Sequence, residues 1–378
     1  MKWVIDILDP IKRIMRNVCV LVVTSLLLSA CLGRQAKESH VKTQNPILTR
    51  LEIIKGQGVL FGHQDDLAYG MKWSYVDGES DVKRVAGDYP SLFGWELGGV
   101  ELAHTHNLDS VPFGEMRRLA VKAHAMGGIN TFSWHPFSPI DSIHSWHGDS
   151  VVVKHIIEGG AFHSHFVRQL DKVADFLLSL KDEKGAGLPF IFRPWHEMDG
   201  DWFWWGSGSC TPEEFKLLFR FTIDYLRQEK GLDQMVVAYS PDRNFNTIDG
   251  YLTWYPGDSV VDILGVDNYG DFKRRNGERD VIRKLHIVIN AAKEKGMPAA
   301  LTETGLENVT DSTWFTNKLG SVLSDSLVNS ELRYVMVWRS DPRVHFFFPF
   351  PGHAAAPDAK AFLDRKDVLL LQDLNRIK

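Results

Sequence analysis

What most constrains this chain is an alternation: eight short apolar runs, each separated from the next by segments that include helical spacing. The runs are Val59 to Gly62, Ser91 to Trp95, Gly128 to Trp134, Leu188 to Pro194, Met235 to Ser240, Val261 to Val266, Ala299 to Thr302 and Leu332 to Trp338. A short apolar run bounded by Gly and Pro, such as the fourth, suits a parallel strand buried on both faces better than a surface strand. Between the runs, 113–126 and 166–180 have helical spacing, the second along Phe166, Leu170, Val173, Leu177 and Leu180. Thr211-Pro212-Glu213-Glu214 is a helix start, with Thr as cap, Pro first and Glu third, and the helix reaches about Glu229. Residues 280–295, 313–327 and 358–370 read as further helices. This repeat implies an α/β chain, a single-domain (β/α)8 TIM barrel with long βα-loop insertions, because a doubly wound sheet seldom needs eight such regular units.

In such barrels the chemistry sits at the carboxyl ends of the strands. Those positions hold His63, Glu96, Trp134 and His135, Glu197, Asp242, Asp267 and Tyr269, Glu303, and finally Trp338 and Arg339. The first turn, residues 62–70, reads GHQDDLAYG and lacks a Gly-rich phosphate fingerprint, which disfavours a dinucleotide cofactor. The fourth run turns polar at Arg193, His196 and Glu197 and is followed by Trp202, Trp204 and Trp205. A carboxylate between a histidine and a tryptophan wall is poorly hydrated, so its pKa rises, as a general acid requires. Taken alone, Glu197 is equally open to pairing with Arg193 or capping the next helix. Glu303 follows the seventh run in Leu301-Thr302-Glu303-Thr304-Gly305. Two carboxylates facing each other across a barrel mouth are what retaining glycoside hydrolysis uses, with a separation of about 5 to 5.5 Å. Arg193 and Tyr269 are the donors expected to keep Glu303 ionised.

The net charge of −5 over 378 residues, with no basic block, argues against a nucleic-acid partner. Residues 1–30 read as an export signal, with Lys12, Arg13 and Arg16 before an apolar run from Val18 to Leu28. Its ending, Leu28-Ser29-Ala30-Cys31, resembles the bacterial lipobox, implying cleavage before Cys31 and lipidation of its thiol. Residues 31–44 then form a lipidated tether, and 45–378 the catalytic domain. Membrane contact is expected only through the lipid, and a monomer is expected. The segment after Cys31 lacks the acidic cluster found in surface-exported members of the Bacteroidetes lipoproteins that this chain looks like, so a periplasmic face is expected. Cys210 alone remains in the domain, leaving no intramolecular disulfide there.

Arg193-Pro194-Trp195-His196-Glu197-Met198-Asp199-Gly200-Asp201-Trp202-Phe203-Trp204-Trp205-Gly206 resembles the acid/base motif of glycoside hydrolase family 26, the β-mannanases. The match extends to 133–135 (SWH), 265–269 (GVDNY), 302–305 (TETG) and 337–339 (VWR). The resemblance implies Glu197 as acid/base and Glu303 as nucleophile, with His196 and Tyr269 hydrogen-bonding near the nucleophile. It also implies His135, Trp202, Asp267, Trp338 and Arg339 as sugar-binding residues at the two glycone subsites nearest the cleaved bond. Cofactor and metal are expected to be absent. Asp199 replaces a common Asn and is expected to add charge near Glu197. Trp204 and Trp205 are assigned to packing.

Two readings compete with hydrolysis of β-mannan or manno-oligosaccharides. One is a metal-dependent barrel hydrolase using His104 and His106 or His163 and His165, but the strand ends offer too few ligands in order. The other is a non-catalytic glycan-binding lipoprotein, which would have no use for both Glu197 and Glu303. The insertions after strands two (97–112), three (136–160) and eight (340–357) set the cleft length. Long loops after strands two and three either close the glycone end after two sugars, giving mannobiose, or leave an open endo-acting cleft.

Overall fold

In a computed structural model that describes residues 45–148, 151–341 and 343–377, all eight expected strands form and close into a ring. The export signal, Cys31 and the tether lie outside the described residues. The strands are β1 (Val59–Gln64), β2 (Leu92–Glu96), β3 (Ile129–Trp134), β4 (Phe190–Pro194), β5 (Met235–Tyr239), β6 (Ile263–Asp267), β7 (Ala299–Thr304) and β8 (Leu332–Val337). Each runs parallel to the next, and β8 pairs back onto β1 from Leu60–Tyr334 to His63–Val337. This is a (β/α)8 barrel.

Strand side chains alternate between two faces. Leu60, Leu92, Ile129, Ile191, Val236 and Ile263 share one buried cluster with residues of two terminal helices, Pro46–Ile53 and Leu371–Arg376. Those helices are too short to be stable alone. Burial of Ile47, Leu51 and Leu374 in that cluster holds them, at about 1.5 to 3 kcal/mol for each large aliphatic side chain. The opposite strand faces, including Phe61, Phe93, Phe132 and Phe192, belong to a second cluster with the surrounding helices. Two residues beyond Ile191 on the same face comes Arg193, which is how a guanidinium enters the barrel.

The expected helices at 113–126 and 166–180 appear as Phe113–Ala125 and His163–Leu178. The Thr211–Glu214 capping box is formed, and the helix runs from Pro212 to Asp224 and on through a wider turn to Glu229. The helix expected over 313–327 is instead broken. Asp325 accepts from the backbone N–H of Leu327 and Val328 at 3.1 Å, so its side chain starts a new helix, Ser326–Glu331. The helix expected over 358–370 stops at Leu363, because Val368 and Leu369 pair with Val59 and Leu60 as an extra strand beside β1.

One irregularity bears directly on function. Along β6 and β7, Val266 pairs with Leu301 but Asp267 with Glu303, so β7 carries an extra residue at Thr302. Two further shifts separate β7 from β8, between Leu332 and Tyr334 and between Val335 and Val337. A bulge beside a reactive carboxylate re-aims its side chain.

Candidate active site

At the carboxyl end of β4 the backbone is strained: Trp195 and Glu197 both have φ of 55°. Non-glycine residues rarely occupy this region, and such outliers concentrate at working sites. The turn is held by the Glu197 N–H donating to the Ser240 carbonyl at 2.7 Å. It presents Arg193, His196 and Glu197 together.

Arg193 is 4% exposed and is the hub. Its Nη1 donates to Asp267 Oδ2 at 2.5 Å and its Nη2 to Glu303 Oε2. The Tyr269 hydroxyl donates to the other Glu303 oxygen at 2.8 Å. Glu303 is thus clamped between a permanent cation and a hydroxyl, which fix the position of both its oxygens. Glu197 is not paired with Arg193. Its partner is the neutral indole of Trp202, whose Nε1 donates to Oε2 at 2.8 Å. Burial, and then the charges of Asp267, Glu303 and Asp242, push the Glu197 pKa well above the usual carboxylate range. With one guanidinium bonded to two other carboxylates, the proton belongs on Glu197.

A second chain of contacts braces this group. Glu96, at the end of β2, accepts from His135 N at 2.8 Å and Gly98 N at 2.6 Å, and contacts His135 Nδ1 at 2.7 Å and Ser133 Oγ at 2.6 Å. Burial opposes the charge on Glu96, but His135 and Ser133 outweigh it and hold the pKa at about 2. His135 Nε2 lies 2.9 Å from His196 Nε2. Burial, reinforced by Arg193 and His135, keeps His196 neutral.

Several expectations change here. His196 bonds to His135 instead of to the nucleophile, although its ring stays within ligand range of Asp267 and Glu303. Asp267, expected as a sugar contact, is fully buried, with its two oxygens taken by Arg193 and by Ser240 Oγ at 2.6 Å. It positions Arg193. Asp199 does not face Glu197: its carboxylate accepts from the N–H of Asp242 at 2.6 Å and Asn244 at 2.9 Å. There it helps burial push Asp242 up to about 7, and Asp242 in turn acts on Glu197. Trp204 and Trp205 are buried packing residues that donate to the carbonyls of Pro136 and His196.

Trp338 is half-buried, its ring 6.1 Å from that of His135. Arg339 is held by Asp109 at 3.0 Å, Asp341 at 2.9 Å and the Tyr69 hydroxyl at 3.4 Å. None of these partners was singled out in the sequence, since Tyr69, Asp109 and Asp341 lie in loops without periodicity. Trp146 was missed as well. It is 51% exposed and its ring stacks on His135, with centroids 5.1 Å apart and 11° between the planes. The loop after β3 therefore packs on the loop after β4, where Gly148 meets Asp201 and Trp146 lies against Phe203. Among the described residues, the one cluster with metal-ligand spacing is His196, Asp267 and Glu303, and its two carboxylates already share the guanidinium of Arg193. His104, His106, His163 and His165 form no such cluster.

Residues 37–312 match the sequence profile of glycosyl hydrolase family 26. The chain is 41% identical to a GH26 β-mannanase from Bacteroides ovatus of known structure, with a TM-score of 0.82, covering 89% of this chain and 95% of that one. A modular endo-β-1,4-mannanase from Cellulomonas fimi superposes with a TM-score of 0.80 at 31% identity, covering 88% of this chain and 76% of that one. A mannan endo-1,4-β-mannosidase from Bifidobacterium adolescentis is 30% identical over 90% of this chain. Another from Bacillus subtilis is 29% identical over 55%. The chain spans 36% and 57% of the lengths of these two relatives. A profile match over most of the chain, on the strands that carry Arg193, Glu197 and Glu303, settles its kinship: the chain belongs to glycosyl hydrolase family 26.

Proposed function

We propose that the chain hydrolyses β-1,4-mannosidic bonds in mannan, glucomannan or manno-oligosaccharides with retention at the anomeric carbon. One observation carries this reading: Glu303 is gripped by Arg193 and Tyr269, while among the described residues the Glu197 carboxyl accepts from the indole N–H of Trp202 and from no cation. Neighbouring carboxylates held by different partners, one by a cation and one by a neutral indole with its pKa raised, are suited to separate roles. In the first step a Glu303 oxygen attacks the anomeric carbon, the glycosidic C–O bond breaks, and the Glu197 proton passes to the leaving oxygen. In the second, Glu197, now a carboxylate, takes a proton from water as that water displaces Glu303. Tyr269 and Arg193 hold Glu303 for attack, and the Glu96–His135–His196 chain fixes the floor beneath the reacting sugar. His135, His196, Trp202, Tyr269, Trp338 and Arg339 are the proposed sugar contacts, with Asp267 acting through Arg193.

The names of the relatives, mannan endo-1,4-β-mannosidases among them, support mannan as substrate. Proton NMR of the first product tests the stereochemistry: β-mannose appears initially, and initial α-product overturns the double-displacement reading. Glu197→Ala should lose on the order of 10² to 10⁴ in rate on mannan, but much less in the glycosylation step on an aryl mannobioside with a good leaving group. Equal loss on both would remove the acid role from Glu197. The sequence further supports a lipid anchor at Cys31 facing the periplasm, so protease treatment of intact cells should spare the protein, and digestion would refute that placement.

A further inference from the structure

Lys284 is a buried cation that bonds to neither carboxylate of the catalytic pair. It lies on the helix Glu278–Lys295, between β6 and β7, and is 5% exposed. Burying an ammonium is costly unless its N–H groups find acceptors. Lys284 Nζ finds three, and all belong to one short segment after β5: the carbonyl of Arg243 at 2.5 Å, the carbonyl of Phe245, and Asn246 Oδ1 at 3.2 Å. The ring of Phe245 faces the same nitrogen, with its centroid 4.9 Å away. Removing the lysine would strip buried acceptors of a donor, so its presence fixes this segment in one place.

The other edge of the segment holds the acid/base turn. The Ser240 carbonyl accepts the Glu197 N–H at 2.7 Å, and the N–H groups of Asp242 and Asn244 donate to the two oxygens of Asp199 at 2.6 and 2.9 Å. The Asn244 side chain adds a bond to the Asp199 carbonyl at 3.2 Å. Residues 240, 242 and 244 thus bond to the turn, while the carbonyls of 243 and 245 bond to the lysine. In extended backbone, successive residues direct their polar groups to opposite sides, which is how one segment serves both partners. The turn needs such support, because Trp195 and Glu197, both with φ of 55°, keep that conformation only where the surroundings over-determine it.

We propose that Lys284 is a positioning residue for Glu197: it anchors residues 243–246, and through them the turn that sets where the acid/base carboxyl sits. The inference rests on the mannan hydrolase reading above. Without the anchor the segment shifts, the turn relaxes, and the Glu197 carboxyl loses both its aim at the leaving oxygen and its shelter from water. The loss falls on proton transfer more than on attack by Glu303, which Arg193 and Tyr269 hold through contacts of their own.

The test uses two substrates with the same glycone, 2,4-dinitrophenyl and phenyl β-mannobioside. The first loses its aryl group without a proton and the second needs one, and kcat/KM for each reports the glycosylation step. Lys284→Met removes all three donors; Lys284→Gln, which keeps an amide donor, carries the test if Lys284→Met does not fold. The ratio of kcat/KM on the phenyl substrate to that on the dinitrophenyl substrate should fall about fivefold to tenfold in Lys284→Met, and less in Lys284→Gln. Each ratio is taken within one variant, so an inactive fraction cancels. The basic limb of kcat/KM on the phenyl substrate should also move to lower pH. Glu197 donates its proton, and its pKa is raised first by burial and then by Asp267, Glu303 and Asp242, against Arg193; water reaching the carboxyl removes the first of these and leaves the charges in place. A ratio unchanged in both variants overturns the proposal, as does a basic limb that stays where it is in the wild type. A wild-type protein that cleaves neither these substrates nor mannan overturns the hydrolase reading instead.

Discussion

The molecule contains two arginine hubs, and they are built differently. Arg193 joins Asp267 and Glu303, all three from barrel strands, and Tyr269 completes the set two residues past β6. Arg339 joins Asp109, Asp341 and Tyr69, of which Asp109 and Tyr69 come from long loops. At the first hub both oxygens of Asp267 and both of Glu303 have donors. At the second, Asp65 Oδ1 and Asp109 Oδ2 are buried without a partner, although Asp65 Oδ2 takes the Tyr69 hydroxyl at 2.7 Å. Burial pushes Asp65 well above the usual range and Asp109 to about 6. Burial also raises Asp267 at the first hub, but there both of its oxygens have donors, Arg193 and Ser240, whereas Asp65 Oδ1 and Asp109 Oδ2 have none.

The sharpest break in the comparison comes from deleting each arginine. Arg193→Ala leaves Asp267, fully buried, without its cation, and should cost about 3 to 5 kcal/mol in urea unfolding as well as activity. Arg339 is nearer solvent, its side chain 12% exposed, and water can enter where it leaves. Arg339→Ala should cost less stability, about 1.5 to 3 kcal/mol. Equal losses would mean that strand and loop hubs are equally rigid.

The same contrast explains what the sequence could tell. All eight strands were legible because buried parallel strands read as unbroken apolar runs, and the carboxyl-end rule then located Arg193, Glu197 and Glu303. Asp325 broke a helix that periodicity alone carried through, since a cap acts by one side chain and leaves no period. The terminal helices were missed because they gain stability only by plugging the barrel. Trp146 and the acids around Arg339 sit in loops whose partners are fixed by tertiary approach. Residue 109 meets residue 339 for reasons no local pattern holds. The carboxyl-end rule placed His135, Asp267 and Arg339 at the barrel mouth as well, but it could not say that Asp267 would turn both oxygens to Arg193 and Ser240, because a strand-end position does not fix which side of a guanidinium a carboxylate occupies.

A second, smaller effect sharpens the hub comparison on substrate. If Arg339 hydrogen-bonds a sugar away from the cleavage point, Arg339→Ala should lower kcat/KM on mannotetraose by about tenfold, with kcat as well as KM affected. Initial rates across a substrate series check this, and unchanged hydrolysis would remove Arg339 from the glycone site.

The smallest effect is a pH dependence confined to the loop hub. Burial raises Asp109 to about 6; Asp65, Glu96 and Asp341 also oppose its charge, and Arg339 and His135 favour it. Above pH 6 Asp109 is a carboxylate and grips Arg339; as pH falls through 6 it gains a proton, the pair loses its charge attraction, and Arg339 is freer to leave its sugar-binding position. KM for mannotetraose should therefore rise about twofold to threefold between pH 7 and pH 5 in the wild type. Asp109→Asn removes the titration, so its KM should sit near the low-pH value throughout and lack this step. Glu197, Glu303 and the Glu96–His135 pair are common to both proteins, and the difference between the two KM profiles isolates Asp109. A step of equal size in Asp109→Asn would assign it to the catalytic hub, and the proposed division between a fixed hub and a titrating one would fail.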